Sequence, residues 1–499
     1  MVRFFYILFL LAKYSLHHVL ISLNFSRSRR SKLIKSFFEE AGGAFIKFGQ
    51  ILALRVDVLP KEYVLELTDL FDQVKPFPYD EVERICLSEL GATPQKLFTV
   101  FEKTPFASAS FAQVHAAKLH DETVVVKVQR PDVEQTVIAD FLIIDVLSFI
   151  ADLFFKIDAL PWREFAKEFK QWTEKELDYH LEAENMQKLY ETTHAQGITN
   201  VIIPQTYHRL STKKILVQEY IDGIPLSRVL RGLRMGKLTT QNLTKIGIDI
   251  QKTPGTIIME LFRQYFIDGF FHADPHPGNI LLLNDDKIGL IDFGIVGEAA
   301  PKRQVFLKFL LTGARSRYEK EQLKHVGYYA FQFAGDHIKQ MVGSALAATV
   351  DEKAIDGFIS LLSNHFYEYY KTIDTRLRED LKEMKIDYTT MLLQVLKFVN
   401  RYQVTLPKQF AVFMRAITII GILGKELNND INVSKIIIDF CKRYPPEELK
   451  TTDSYAYKRL SREKAIERLN NWMTYLVEKD PELYKLVNQY ISHYTVLEK

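Results

Sequence analysis

An α+β architecture, with a small antiparallel sheet set into a mostly helical chain, follows from three observations on these 499 residues. Residues 105–130 carry two strand-like stretches, "FASASFAQVHAAKL" and "ETVVVKVQRP", joined by a turn at "HDE", with β-branched residues packed into Val124 to Val126. Helical periodicity dominates residues 31–100, returns from about 130 to 195, and fills most of 223–430. Within that last helical stretch lies an island of short strands and loops, "FFHADPHPGNILLLNDDKIGLIDFG", in which acidic and amide residues recur at fixed spacing.

The composition, 47% hydrophobic and 25% charged, excludes a disordered or fibrous chain. No internal repeat or low-complexity segment is present. Two cysteines, Cys86 and Cys441, supply neither a disulfide framework nor metal-ligand spacing, which favours a reducing compartment. The net charge of +3 is unevenly spread. Residues 1–38 hold Arg3, Lys13, Arg27, Arg29, Arg30, Lys32 and Lys35 and no acid, so the remainder is net negative by four. A basic end on a mildly acidic body predicts attraction to an anionic surface, such as a membrane bearing anionic lipid, rather than to nucleic acid.

In chain order, residues 1–38 form the first segment. "FFYILFLLA", Phe4 to Ala12, is too short an uncharged run to span a bilayer. An amphipathic piece follows, with Leu16, Val19 and Leu20 opposite Lys13, His17 and Asn24. A helix lying in the membrane interface, a signal or transit peptide, and a helix packed on the body are all open readings. Residues 39–104 are a helical extension, broken at Pro60 and at the turn "KPFPYD". Residues 105–222 make a small lobe around the sheet, which "KKILVQEYIDG" completes with a further strand. Residues 223–430 form a larger helical lobe holding the island, and 431–499 are a charged helical tail.

The island carries the chemistry. Asp274 precedes Asn279 by five positions, and "DFG" begins at Asp292, thirteen residues further on. These are the spacings of a kinase catalytic loop followed by its metal-binding loop. Phosphoryl transfer needs divalent ions on the phosphates, so Asn279 and Asp292 are predicted to supply hard oxygen ligands for Mg²⁺, while Asp274 orients the acceptor or accepts its proton. "ILLLNDDKIGLI" reads as a hairpin turning at Asn284 to Lys287, which sets the two loops side by side.

Upstream residues agree in order. Over the kinase loop G-x-G-x-x-G-x-V, the chain places Ala107, Ala109, Ala112 and Val114, with Ser108 and Ser110 between the alanines. Lys127 follows Val114 by thirteen residues, where a kinase grips the α- and β-phosphates of ATP or ADP. Its partner is predicted to be Glu182, with Asp178 one turn earlier on the same helix. "VQEYI" fits a hinge whose backbone around Glu219 and Ile221 bonds the adenine.

With these residues in place the chain resembles the UbiB/AarF family of atypical kinases from about residue 35 to 430. "KFGQ", Lys47 to Gln50, resembles the family's K-x-G-Q signature and "LRVDVLPKEY" the segment after it; Glu176 and Asp178 match the E-x-D motif, and "LPKQFAVFMRAITIIG", residues 406–421, the late L-P helix. The resemblance implies a bilobal protein-kinase-like fold whose K-x-G-Q helix folds across the substrate side, Lys47 meeting Glu176. It also implies support of ubiquinone biosynthesis, with a lipid-like quinone precursor or quinone-biosynthesis proteins as partners. The implied location is the cytoplasmic side of a bacterial inner membrane or the mitochondrial inner membrane of a eukaryote.

Alanine restricts φ > 0 and keeps backbone donors away from phosphate where glycine would not, so the loop is expected to be stiff. Ala273 replaces the arginine that docks a phosphorylated activation loop, and no A-P-E segment follows "DFGIVGEAAPKRQ", which argues against a peptide substrate. Two rivals remain: a small-molecule kinase of the aminoglycoside or choline type, and a nucleotide-binding scaffold without turnover. An occluding K-x-G-Q helix has no role in the first. Intact Lys127, Asp274, Asn279 and Asp292 count against the second. The phosphoryl acceptor and the oligomeric state stay open.

Overall fold

The computed structural model describes residues 2–22, 27–52, 63, 66–67, 70, 75–108, 110–154, 162–300, 302–316, 325, 328–329, 354, 356–365, 367–368, 408–428, 431–449 and 461–496. "LRVDVLPKEY" up to Lys61 and Glu62, Ala109, and the first two residues of the L-P helix lie outside the described residues. The chain divides into two compact units: residues 1–249 with 274–296, and 250–273 with 297–499.

The first unit opens with helices α1 (Val2–Ser22), α2 (Arg27–Ala41), α3 (Ala44–Leu52) and α4 (Tyr79–Leu90). Helix α4 carries Asp80 and Glu81 in its first turn, where the helix dipole favours acids, and ends on Gly91 at φ +73°. Strands β1 (Val100–Phe101), β2 (Ala107–Ser108), β3 (Ala112–Leu119) and β4 (Glu122–Gln129) follow. Helices α5 (Val133–Phe154), α6 (Trp162–Glu176) and α7 (Tyr179–Ala195) lead to β5 (Val201–Ile202), β6 (Ile215–Glu219), β7 (Ile224–Pro225) and α8 (Leu226–Arg234).

The expected hairpin is present: β3 and β4 pair antiparallel from Ala112–Gln129 to Leu119–Glu122, and His120 turns between them at φ +55°. Strand β6 adds to β4, β1 to β3, and β2 folds back on β3 through Ala107–Val114 and Ser108–Gln113. "FASASFAQVHAAKL", read as one strand, is therefore two strands with a tight loop between them. Alternate residues of β4 and β6 (Val124, Val126, Val128, Ile215, Val217) bury against Val82, Ile85 and Phe98. A second sheet in the same unit runs β5-β10-β9-β7, where β9 is Ile280–Leu282 and β10 is Ile288–Leu290. The β9–β10 hairpin turns on Asp285 and Asp286, both at positive φ, a two-residue turn that aspartate tolerates.

Helices α1, α2, α3, α5 and α6 share one core. Ile7 and Leu10 of α1 bury with Phe38, Phe45, Phe141, Phe165 and Phe169, and Phe48 sets its edge against Phe165 and Phe169 at 5.2 and 5.1 Å. Arg3 pairs with Asp140 on α5 at 2.7 Å, and that buried carboxylate also accepts from the Ala44 amide, while Lys13 pairs with Glu40 at 2.7 Å. One face of the N-terminal helix thus packs on the body.

In the second unit, α9 (Thr253–Phe262) runs into a π-helical turn, Arg263–Asp268, then Gly269 at φ +74° and strand β8 (Phe270–His272). Phe262, Tyr265, Phe266, Phe271, Phe306, Phe413 and Phe440 build its core, and the buried Arg263 guanidinium is held by Glu260 and Asp268, each at 2.7 Å. Helices α10 (Arg303–Ser316), α11 (Lys408–Leu427), α12 (Val433–Arg443), α13 (Arg462–Lys479) and α14 (Pro481–Val496) complete it.

Candidate functional site

Lys127 lies on β4 directly across from Val114, so the strand pairing that forms the hairpin also aims the lysine. Its ammonium donates to both Glu182 oxygens at 3.1 and 3.0 Å and to Asp292 Oδ2 at 3.0 Å. Three residues far apart in sequence therefore meet at one nitrogen. Glu182, 1% exposed, stands in the first turn of α7, and Asp292 opens the DFG loop after β10. Below the ammonium, the buried Tyr179 ring lies 4.9 Å away, a cation–π contact that the sequence reading missed.

Helix α7 grips the DFG loop by two further bonds. The Phe293 amide donates to Glu182 at 3.4 Å, and Asn185 donates to the Phe293 carbonyl at 3.1 Å. Gln218, at the end of β6, donates to the Ile291 carbonyl at 3.3 Å. The Gly294 amide closes the loop on Asp292 Oδ1 at 3.1 Å.

The electrostatics divide the two acids. Burial opposes charge at Asp292, but Lys127 outweighs it and lowers the pKa to about 2. Glu182 is pushed up to about 7, by burial first and then by the Asp292 carboxylate, against the pull of Lys127. For Lys127, burial works against the ammonium; Asp292 and Glu182 together overcome it and hold its pKa well above the ordinary value.

A second lysine and glutamate stand next to this cluster. Lys47 of α3 pairs with Glu176, the last residue of α6, at 2.8 Å. A Cβ added to Gly294 would stand 3.4 Å from Glu176 Cγ and equally close to Asp292 Oδ1, so the pair lies against the DFG loop. Burial raises the Glu176 pKa, and Lys47 opposes that.

The other expected residues separate. Asp274 and Asn279 share a tight loop: the Asn279 side-chain amide donates to the Asp274 carbonyl at 3.1 Å, and the Ile291 amide to the Asn279 carbonyl at 3.1 Å, which brings Asn279 beside the DFG strand. Ala107 and Ser108 lie on β2 and Ala112 and Val114 on β3, either side of the bend at Ser110, while Ala109 is outside the described residues. Arg130, unforeseen, fixes that turn by donating to Ser108 Oγ at 2.7 Å and, through its amide, to the Phe111 carbonyl at 2.8 Å. Its position closing "VVVKVQR" was the available signal.

Three expectations are revised. Asp178 is the N-cap of α7, its Oδ1 accepting from the His180 and Leu181 amides at 3.1 and 3.4 Å, so that oxygen serves the helix end. Gln50, expected to occlude the site with Lys47, donates its amide to the Leu70 carbonyl at 2.8 Å and so ties α3 to that residue. The Glu219 amide donates to the Gln205 carbonyl at 2.8 Å, so a base at this edge must use the Glu219 carbonyl and Ile221.

A metal would find oxygen donors here. Among the described residues no group of three or more His, Cys, Asp or Glu could hold an ion. Magnesium does not require one, because it keeps several waters and binds through one or two protein oxygens plus phosphates. Asp292, 34% exposed, and the Asn279 side-chain oxygen, left over once its amide nitrogen bonds Asp274, are such donors.

The model of the ABC1 atypical kinase-like domain matches residues 69–325. The chain belongs to this family. Within it, the chain is 29% identical over 411 residues to an uncharacterized protein in the hydrogenase 1 5′ region of Clostridium pasteurianum, covering 82% of this chain and 70% of that one. It is 32% identical over 297 residues to an uncharacterized chloroplastic aarF domain-containing protein kinase of Arabidopsis thaliana, covering 57% of this chain and about half (52%) of that one. A solved Mycobacterium tuberculosis protein in complex with erythromycin aligns over 82% of this chain and 93% of its own, with 24% identity and a TM-score of 0.46. Family membership accounts for the α+β kinase-like fold and implies nucleotide binding.

Proposed function

We propose that this chain is an ATP-binding, Mg²⁺-dependent atypical kinase or ATPase that works at a membrane in support of ubiquinone biosynthesis. The observation that carries the catalytic part is the meeting of Glu182 and Asp292 on the Lys127 ammonium. Lys127 bonded to a helix glutamate is the arrangement that presents a lysine to phosphates, and Asp292 half-exposed beside it is a carboxylate within reach of a phosphate-bound ion. Asp292 and Asn279 would hold Mg²⁺, which neutralises charge on the phosphates when bound. Asp274 would orient the acceptor hydroxyl or water and take its proton.

The Lys47–Glu176 pair against Gly294 supports a site covered on its substrate side, which suits a small or lipid-like acceptor better than a peptide. The quinone precursor as that acceptor rests on the family resemblance. Attachment to a membrane rests on the apolar, acid-free N-terminal segment. ATP turnover by the purified chain, compared with Asp274→Asn, tests the catalytic part: turnover is expected to fall about 10²-fold or more while nucleotide affinity stays nearly unchanged. Equal turnover in both would remove Asp274 from its role.

A further inference from the structure

Two neighbouring helices of the first unit turn large apolar side chains outward. On α1, Ile7 and Leu10 are spent on the core, yet Phe5 is 64% and Phe9 62% exposed, with Leu8 and Leu16 bare beside them. On α5, Val137, Phe141, Ile143 and Ile144 face inward, while Ile138, Leu142, Val146, Phe149, Ile150 and Leu153 face out. Leu142 is 66% and Leu153 59% exposed. Their spacing of 4, 4, 3, 1 and 3 keeps them on one side of the helix, over about 22 Å at 1.5 Å per residue. Helix α5 is thus apolar on two faces of which the protein covers one, and the Arg3–Asp140 pair joins it to α1.

We propose that the outer face of α5, together with that of α1, is the surface on which this protein rests on an anionic lipid bilayer. The inference deepens the membrane part of the proposed function and is independent of the nucleotide chemistry. Three observations favour lipid over a protein partner. On α5 the face is phenylalanine and aliphatic, without tyrosine or tryptophan, and on α1 the exposed Tyr6 has its hydroxyl bonded to the Glu40 carbonyl, so the face offers few of the anchors and hydrogen-bonding groups that protein interfaces carry, and hydrocarbon demands none of these. The first 38 residues, which include α1, hold seven cations and no acid; Arg3 and Lys13 are paired with Asp140 and Glu40, the basic run Arg27, Arg29, Arg30 and Lys32 follows α1 in sequence, and Arg163 sits over the exposed Phe149 ring at 5.6 Å, a cation at the margin of the face. No described helix is long and apolar enough to cross a membrane, and side-on contact needs none, since it sinks apolar side chains only to the headgroup boundary. Glu134 and Asp145 are exposed along one edge of the α5 face, Asp145 one turn from both Leu142 and Phe149, where their carboxylates can remain in the headgroup layer.

The test uses the full chain and vesicles of phosphatidylcholine with phosphatidylglycerol, read by co-flotation. Two variants are compared with the parent: Leu142→Ser/Phe149→Ser/Leu153→Ser on α5 and Phe5→Ser/Phe9→Ser on α1. All five positions are exposed, so thermal midpoints and nucleotide affinity should stay as in the parent. The α5 variant is expected to partition at least about tenfold more weakly, and the α1 variant to weaken as well. Loss in the α1 variant with parent-like partition of the α5 variant would overturn the inference and leave membrane attachment standing. No partition of the parent would overturn both. A parent dimer that the α5 variant dissociates, with vesicle binding unchanged, would assign the face to a second copy of the chain and overturn it too.

Discussion

Two lysine–glutamate pairs meet the DFG loop, and they are built differently. Lys127 and Glu182 join a sheet strand to a helix, and the lysine is shared with Asp292; Lys47 and Glu176 join two helices of the N-terminal layer. The first ammonium is 19% exposed and holds two carboxylates, one of them almost fully buried. The second pair, with its lysine 12% and its glutamate 19% exposed, lies against Gly294 of the loop. On the proposed function, the difference teaches that one pair makes the site and the other covers it. Changes to the first should therefore damage binding and stability together, whereas changes to the second should cost stability in a pH-dependent way and leave the loop's own bonds intact.

The largest expected effect comes from Lys127→Met. It leaves the buried Glu182 and the adjacent Asp292 without a counter-charge, and removing one partner of a buried pair costs roughly 3 kcal/mol. Denaturant unfolding would measure it, and nucleotide affinity should fall in the same variant. A cost below about 0.5 kcal/mol would mean that the two acids are already neutralised by something else.

Lys47→Met is expected to cost about 1–2 kcal/mol, less because both partners keep some contact with solvent. Its pH dependence carries a sign. Glu176 already has a raised pKa, and losing Lys47 raises it further, so the protonated form is the favoured one in the folded chain. A raised folded pKa gives a contribution that is whole below the unfolded value of about 4.3 and is lost as pH rises through the folded one. The deficit of Lys47→Met should accordingly be smallest near pH 5 and grow toward pH 8. A deficit that shrinks with rising pH would reverse the assignment.

The smallest effect sharpens the first pair. Glu182 titrates near 7 while Asp292 stays ionised to about 2. When the Asp292 charge is engaged by a bound Mg–nucleotide, its push on Glu182 weakens and Lys127 holds the ionised carboxylate, so binding releases a proton. Affinity should rise with pH below 7, by at most about tenfold per unit, and flatten above it. The difference between this slope and that of Glu182→Gln isolates the glutamate, since the phosphates titrate alike in both. Identical slopes would assign the proton elsewhere.

The pair that makes the site was far more legible in the sequence than its surroundings. Lys127, Asp274, Asn279 and Asp292 stand at spacings fixed by a strand, a loop and a hairpin, and such spacings are read directly from the chain. Glu182 could be chosen because it and Asp178 were the acids on one helix face, but the same pattern hid the fact that Asp178 caps that helix. Gln50 shares a short motif with Lys47, yet its amide is bonded to the Leu70 carbonyl, a partner 20 residues away that the motif does not announce. Tyr179 and Arg130 act through ring placement and a long side chain, for which no spacing rule exists.

The helical layer was less legible for a different reason. An apolar run such as Phe4 to Ala12 is compatible with a core, an interface or a leader, and helix α5 is apolar nearly all round. Periodicity reports that a face is apolar; only packing reports whether it is covered. In α1 the structure gives Ile7 and Leu10 to the core and leaves Phe5 and Phe9 outside, a division within one helix that no sequence pattern distinguishes.

The central claim is that the carboxylate on Lys127 belongs to a Mg–nucleotide site, and titration calorimetry of ATP with and without Mg²⁺ tests it most directly. In the parent, Mg²⁺ should strengthen ATP binding, and Asp292→Asn should weaken Mg-ATP binding by about tenfold or more, because a charged oxygen donor for the ion is lost. If Asp292→Asn binds Mg-ATP as tightly as the parent and with the same response to Mg²⁺, the cluster at Lys127 is not a nucleotide site.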